Sequence, residues 1–142
     1  MRTPKETASF VLDTSALICL KSDERGASEV SKVLEDVSGS HRVFCSFMSP
    51  MEFFYSIYRE RGREAAFRAC VELKALPIQI IESDESLRMI AGEIKAQHRL
   101  SVADAWIAAT AQYLGAVLVH KDPEFESLSS RIKLHPLPYK TG

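Results

Sequence analysis

Hydrophobic positions along the chain alternate between two spacings. Ser9-Phe10-Val11-Leu12 is a short continuous apolar run, the pattern of a strand buried on both faces. Val30, Val33, Leu34 and Val37 recur at helical spacing and predict a helix over Glu24–Val37, closed by Gly39. Arg42–Met48 reads as a second strand, and Ser49-Pro50 opens a helix with proline at its first position, where a missing N–H costs little. Gly62 breaks that helix. Ala66, Ala69, Cys70 and Leu73 mark the next one, and Pro77 ends it before a strand at Ile78–Ile81. Leu87, Ile90, Ala91 and Ile94 define a helix from Ser83 to about His98, and another runs from Ser101 to Leu114. Ala116–Val119 is a strand, followed by a short helix after Pro123 and a last strand near Ile132–Leu134. Strands alternating with helices through short connections predict an α/β fold, with a central, mainly parallel sheet of four to five strands flanked by helices. No repeat, linker or low-complexity segment interrupts it, so we expect one domain over 9–138 with short tails at 1–8 and 139–142.

Composition narrows the class without naming it. The 142 residues suit a single domain, and 46% hydrophobic with 26% charged residues excludes disordered and fibrous chains. No apolar run approaches the ~20 residues of a membrane span, and Ala8–Leu12 is too short for a secretory core. Eighteen Lys plus Arg against 19 Asp plus Glu leave a net charge of −1, which excludes a broadly basic nucleic-acid binder. Cys19, Cys45 and Cys70 are odd in number and widely spaced. His41, His98, His120 and His135 are scattered, so neither a disulfide framework nor a zinc site is indicated. The cysteines read as buried, reduced packing residues and the chain as cytoplasmic.

The acidic residues carry more information than their total. Asp13 is the lone charge between Glu6 and Lys21, Glu52 between Arg42 and Arg59, and Asp104 between Arg99 and Lys121. An unpaired carboxylate in apolar surroundings is costly. Each has a capping interpretation. Ser49-x-x-Glu52 and Ser101-x-x-Asp104 have the form of capping boxes, Asp13 can cap a helix starting near Ala16, and Asp122-Pro123 has the form of an N-cap followed by proline. All four acids, however, fall where a strand or loop gives way to a helix. In a parallel sheet those boundaries share one edge for Asp13, Glu52 and Asp122, and Asp104 has to point back toward it. Converging carboxylates without a matching Lys or Arg repel one another unless a cation joins them. An all-oxygen donor set favours Mg²⁺ or Mn²⁺ over zinc. Such ions serve phosphate chemistry by polarising a phosphoryl oxygen and acidifying a water.

Val11-Leu12-Asp13-Thr14-Ser15-Ala16-Leu17 resembles the opening strand and turn of PIN domains. Ser49-Pro50-Met51-Glu52, Leu100-Ser101-Val102-Ala103-Asp104-Ala105 and Leu118-Val119-His120-Lys121-Asp122-Pro123-Glu124-Phe125 resemble the family's second, third and fourth motifs, in order. Size and the contexts of Asp104 and Asp122 look most like VapC-type toxins of toxin–antitoxin pairs. The resemblance implies a Mg²⁺- or Mn²⁺-dependent endoribonuclease in which Asp13, Glu52, Asp104 and Asp122 are catalytic and hold the metal. It also implies an antitoxin partner and a homodimer, with no membrane contact. Thr14 or Ser15 would help orient the site. His120 stands where the family often has Thr or Ser, and either contacts a substrate phosphate or lies outside the site. Glu124 sits where a further family acid is sometimes found, and otherwise reads as a first-turn helix charge.

RNA requires cations near the acids. Arg59, Arg61 and Arg63, joined by Arg68, form one candidate set interleaved with Glu60 and Glu64; Arg88, Lys95, His98 and Arg99 form another. Phe53, Phe54, Tyr55, Ile57 and Tyr58 cover more than one helix face, so that helix is either sandwiched in the core or meets a second chain. Trp106, in an alanine-rich helix, reads as core rather than as a base-stacking platform. The rival from another class is a non-catalytic RNA- or partner-binding PIN module, marked by loss of acids, which this chain retains. Asp13-Thr14-Ser15 lacks the Asp-x-Asp of a haloacid-dehalogenase-type phosphatase, and the acidic doublet of a receiver domain is missing.

Overall fold

The computed structural model describes residues 8–37 and 39–140. The tail expected at 1–8, apart from Ala8, and residues 141–142 lie outside the described residues. The elements are β1 (Ala8–Leu12), α1 (Thr14–Lys21), α2 (Ala27–Glu35), β2 (His41–Ser46), α3 (Met48–Arg61), α4 (Arg63–Lys74), β3 (Gln79–Ile81), α5 (Glu85–Gln97), α6 (Val102–Leu114), β4 (Val117–His120), a 3₁₀ helix (Pro123–Leu128) and β5 (Leu134–Pro136). The strands form one five-stranded sheet in the order β3-β2-β1-β4-β5, with every pairing parallel. That is the expected α/β architecture at the upper strand count.

The period of two along β1 divides the core between the two sheet faces. Val11 packs with Leu118, Phe125, Leu128 and the inner faces of α5 and α6. Phe10 and Leu12 pack on the other side with Val43, Val119 and α1 to α4. On the first face α6 presents Ala105, Ala108, Ala109 and Ala111, all buried, and short side chains let the helix lie close to the sheet and to α5. On the second face longer side chains, among them Leu17, Phe53 and Ile57, fill the wider space. Among the described residues, no helix is long and apolar enough to cross a membrane.

Three expected boundaries shift, each for a local reason. The helix predicted at Glu24–Val37 spans Ala27–Glu35. It starts after Gly26, whose φ of 103° no branched side chain adopts easily, while Leu137 and Pro138 pass 3.1 Å from where a β-carbon would stand. Helix α3 begins at Met48, so Pro50 sits third in the first turn, a position that still needs no intrahelical N–H donor. The last strand is Leu134–Pro136 rather than Ile132–Leu134: Ile132 turns down into the core, and pairing with β4 begins at Leu134. Proline is tolerated in β5 because it is an edge strand.

Candidate metal centre

Because all strands are parallel, each flanking helix runs back against them and begins over the carboxyl edge of the sheet. Asp13 follows β1, Glu52 lies in the second turn after β2, and Asp122 and Glu124 follow β4. Asp104 reaches the same edge because α6, which feeds β4 from below, starts above it. Neighbouring strands β1 and β4 mark the point where the strand order reverses, the crevice in which open α/β sheets bind ligands.

Two of these acids are anchored by hydroxyl groups. Asp13 is 4% exposed and caps α1, accepting from the Ser15 backbone N–H at 3.1 Å and from the Ser15 hydroxyl. Ser15 Oγ also accepts from the Lys121 backbone N–H at 2.9 Å, which ties the end of β1 to the end of β4. The Thr14 hydroxyl donates to Glu52 Oε1 at 2.7 Å and lies 3.2 Å from Ser49 Oγ, and the Tyr55 hydroxyl approaches Glu52 Oε2 at 3.4 Å. Ser49 is buried against Thr14 and α3 has no side-chain cap, so the capping-box alternative for Ser49-x-x-Glu52 is not realised.

The other acids are held through the backbone. Ser101 caps α6 by accepting from the Asp104 N–H at 3.1 Å, and Asp122 Oδ1 accepts from the Glu124 N–H at 3.0 Å. Carboxylate oxygens of Asp104, Asp122 and Glu124 all lie within 4.8 Å of one another. Glu124, read from the sequence chiefly as a first-turn helix charge, joins the cluster. It does sit in the first turn of the 3₁₀ helix, but that turn aims it at Asp104. The match of its position to a further family acid was the signal for this.

The cluster carries its charge uneasily. Burial, then the neighbouring Asp13, Asp122 and Glu52, pushes Asp104 up to about 7. Burial chiefly, with a smaller push from Glu52, raises Asp13 to about 6 against the pull of Ser15. Lys121 offers no relief: its ammonium turns away to Glu24 Oε1 at 3.2 Å and the Arg25 carbonyl at 2.9 Å. Among the described residues no Lys or Arg forms an ion pair with any of these five acids. Oxygen-only donors, crowded charge and the want of a protein cation fit a hard divalent ion.

Residues 10–130 match the PIN domain family. The chain belongs to the PIN domain family. VapBC2 from Rickettsia felis, solved bound to a DNA fragment from its promoter, resembles this PIN domain with a TM-score of 0.74 at 15% identity, covering 92% of this chain and 99% of that one. A toxin–antitoxin complex from Klebsiella pneumoniae gives 0.65 at 21% identity, covering 94% and 100%. Mycobacterium tuberculosis VapC20, a Sarcin-Ricin loop cleaving toxin, gives 0.68 at 17% identity, covering 89% and 99%. At such identities the likeness is one of fold. No curated protein matches the sequence.

His120 of this PIN domain is fully buried, with Nδ1 accepting from the Asp122 N–H at 3.3 Å. Its Nε2 has no hydrogen-bond partner among the described residues, and Phe125 and Tyr139 flank the ring. Burial pushes its pKa down. The side chain thus supports the Asp122 backbone from inside the fold. The arginines nominated from sequence spread out. Arg59 lies 4.9 Å from the Tyr55 ring centre; Arg63 lies 4.7 Å from the Phe67 ring centre, and Arg61 donates to Ser22 at 3.2 Å. Arg61 stands nine residues beyond Glu52, about 13 Å along α3, which removes it and Arg63 from the acids. Arg99 is exposed between α5 and α6. Trp106 packs against the core and meets Phe47 edge-on at 4.9 Å. Helix α3 buries Phe53 and Ile57 but leaves Tyr55 and Tyr58 exposed, so it is not sandwiched.

Proposed function

We propose that this PIN domain is a Mg²⁺- or Mn²⁺-dependent endoribonuclease, the toxin of a type II toxin–antitoxin pair. The observation that carries the reading is the convergence of Asp13, Glu52, Asp104, Asp122 and Glu124 at the β1/β4 crevice, with no Lys or Arg among the described residues in an ion pair with any of them. Asp104, Asp122 and Glu124 would hold the ion, with Asp13 and Glu52 completing the oxygen donors directly or through water. When bound, the ion supplies Lewis-acid polarisation of the phosphoryl oxygen and a more acidic water. Thr14 and Tyr55 fix Glu52, and Ser15 fixes Asp13, so the donors hold their places while charge builds on the phosphate. The Thr14 and Ser15 hydroxyls donate to Glu52 and Asp13, which assigns them to holding those carboxylates in place. In this reading hydrolysis adds water across the P–O bond with no covalent protein intermediate.

Asp104→Asn should abolish RNA cleavage while the far-UV spectrum stays native. Added Mn²⁺ should raise the melting temperature of the wild type more than that of the variant. Full cleavage by the variant in a nuclease-free preparation would contradict the assignment. The same reading brings an antitoxin partner, supported by relatives solved as VapBC and toxin–antitoxin complexes. It also brings a homodimer, supported by the exposed Tyr58 and Phe67 on α3 and α4 and testable by sedimentation. A cytoplasmic location accords with three free thiols.

A further inference from the structure

After β5 the chain is pinned as a strap from the end of β4 to the loop that follows α1. The Leu137 N–H donates to the His120 carbonyl at 2.7 Å, and Leu137 and Pro138 lie against Gly26. The Tyr139 hydroxyl donates to Glu126 Oε1 at 2.9 Å, and Lys140 Nζ lies 3.2 Å from Glu24 Oε2. Tyr139 and Lys140 thereby wall a pocket of about 350 Å³, whose other sides come from α1 and from the residues just after β4. This pocket adjoins the acid cluster directly. Asp122 lines it and belongs to the trio with Asp104 and Glu124, and Ser15 lines it and holds Asp13.

Its charges do not cancel. Glu24 faces the same pocket and bonds two lysines, Lys121 through Oε1 and Lys140 through Oε2, each at 3.2 Å. The Lys121 side chain is 4% exposed and also donates to the Arg25 carbonyl, so it is the fixed partner that neutralises Glu24. Lys140, 76% exposed, is then a surplus positive charge, and so exposed an ion pair holds its geometry weakly. Ile18, Pro123 and the half-buried Tyr139 ring give the pocket an apolar side next to that cation.

We propose that this pocket is a subsite for single-stranded RNA, seating the nucleotide next to the reacting phosphate with its base against Tyr139 and its own phosphate on Lys140. The proposal rests on the ribonuclease reading of the acid cluster. A phosphate held beside Asp122 stands at the mouth of this pocket, so the next nucleotide of its strand has this wall within reach. There it meets the cation that a polyanion needs beside five carboxylates, and the ring face on which a base stacks. Single-stranded nucleic acid is held by this pairing of backbone cation and stacking surface.

The test measures binding of a short fluorescein-labelled single-stranded oligoribonucleotide by anisotropy, with Mg²⁺, on the full chain carrying Asp104→Asn to prevent turnover. Adding Lys140→Ala should weaken binding about threefold and reduce the slope of log K against log salt by about 0.7, one phosphate contact. Lys140→Arg should retain both. Lys95→Ala removes an exposed lysine from the cleft between α5 and α6 and should change neither. Tyr139→Ala should weaken binding about fivefold or more with the slope unchanged. Tyr139→Phe, which loses only the bond to Glu126, should bind as the parent does. Lys140→Ala and Lys95→Ala alike in affinity and slope overturn the subsite, as does Tyr139→Ala at the parent's affinity. Tyr139 flanks His120, which supports the Asp122 backbone, so Mn²⁺ affinity is measured by calorimetry on the same substitutions in the otherwise wild-type chain. Unchanged Mn²⁺ affinity is expected; a loss matching the loss of RNA affinity would make Tyr139 a prop for the acids and overturn its place in the pocket. Cleavage of RNA by the wild-type chain is scored separately. Its absence removes the ribonuclease reading, whereas cleavage at full rate at limiting RNA by the Lys140→Ala and Tyr139→Ala variants removes only this subsite.

Discussion

The two faces of the sheet deliver acids to the same crevice by different means. The face packed by α1 to α4 supplies Asp13 and Glu52, and both are fixed by hydroxyls from Ser15, Thr14 and Tyr55. The face packed by α5, α6 and the 3₁₀ helix supplies Asp104, Asp122 and Glu124, which are steered only by their backbone caps and crowd within 4.8 Å. One half is therefore a scaffold built before any ion arrives. The other is a pinch whose mutual repulsion a divalent ion would relieve. Ser15 is the bolt between them, since it holds Asp13 and the Lys121 backbone at once.

The comparison breaks first in the pinch. Asp122→Asn or Glu124→Gln should lower Mn²⁺ affinity by calorimetry and cut kcat on the order of 10²–10³-fold; a change of twofold or less would mean that the trio does not hold the ion. Thr14→Val, on the scaffold side, removes the support of a donor rather than a donor. It should cost about 10- to 100-fold in cation affinity, less than either pinch variant. An effect larger than theirs would reverse the assignment of the halves.

Protonation sharpens the same contrast. Asp13 and Asp104 stand at about 6 and about 7 against an ordinary 3.8, so the folded protein retains protons that the unfolded chain releases. Their contribution to stability is complete below the ordinary value and is lost as pH rises through 6 to 7. Cation-free protein should therefore melt higher at about pH 5 than at about pH 8, and Mn²⁺ at the higher pH should recover the difference. A flat or opposite pH trend without metal would refute the crowded-charge description. The smallest effect belongs to Ser101→Ala, which loses a cap worth about 1 kcal/mol and should leave cleavage within a few-fold.

Most of this was legible in the chain because strand and helix periods differ, and the acids stood out by their isolation from other charges. The parallel sheet then made convergence a consequence of topology rather than of any one residue. The capping interpretation and the site interpretation also proved compatible: Asp13 and Asp122 cap their helices and still face the crevice. What escaped the sequence depends on direction in space. Glu124 looks like any first-turn acid until the 3₁₀ turn aims it at Asp104. The arginines cluster in sequence, but α3 carries Arg59 and Arg61 away to Tyr55 and Ser22 while Arg63 opens α4 over Phe67. Ile132 satisfied an apolar pattern from a turn rather than from a strand.

The central claim is that these carboxylates make a divalent-ion site that cuts RNA. Mapping new RNA ends after total cellular RNA meets the purified wild type, with Mn²⁺ or with a chelator, tests it most directly. Discrete ends that appear with Mn²⁺, vanish with the chelator and are missing from Asp104→Asn are the expected result. No specific ends at any Mn²⁺ concentration, or ends indifferent to chelation, would contradict it.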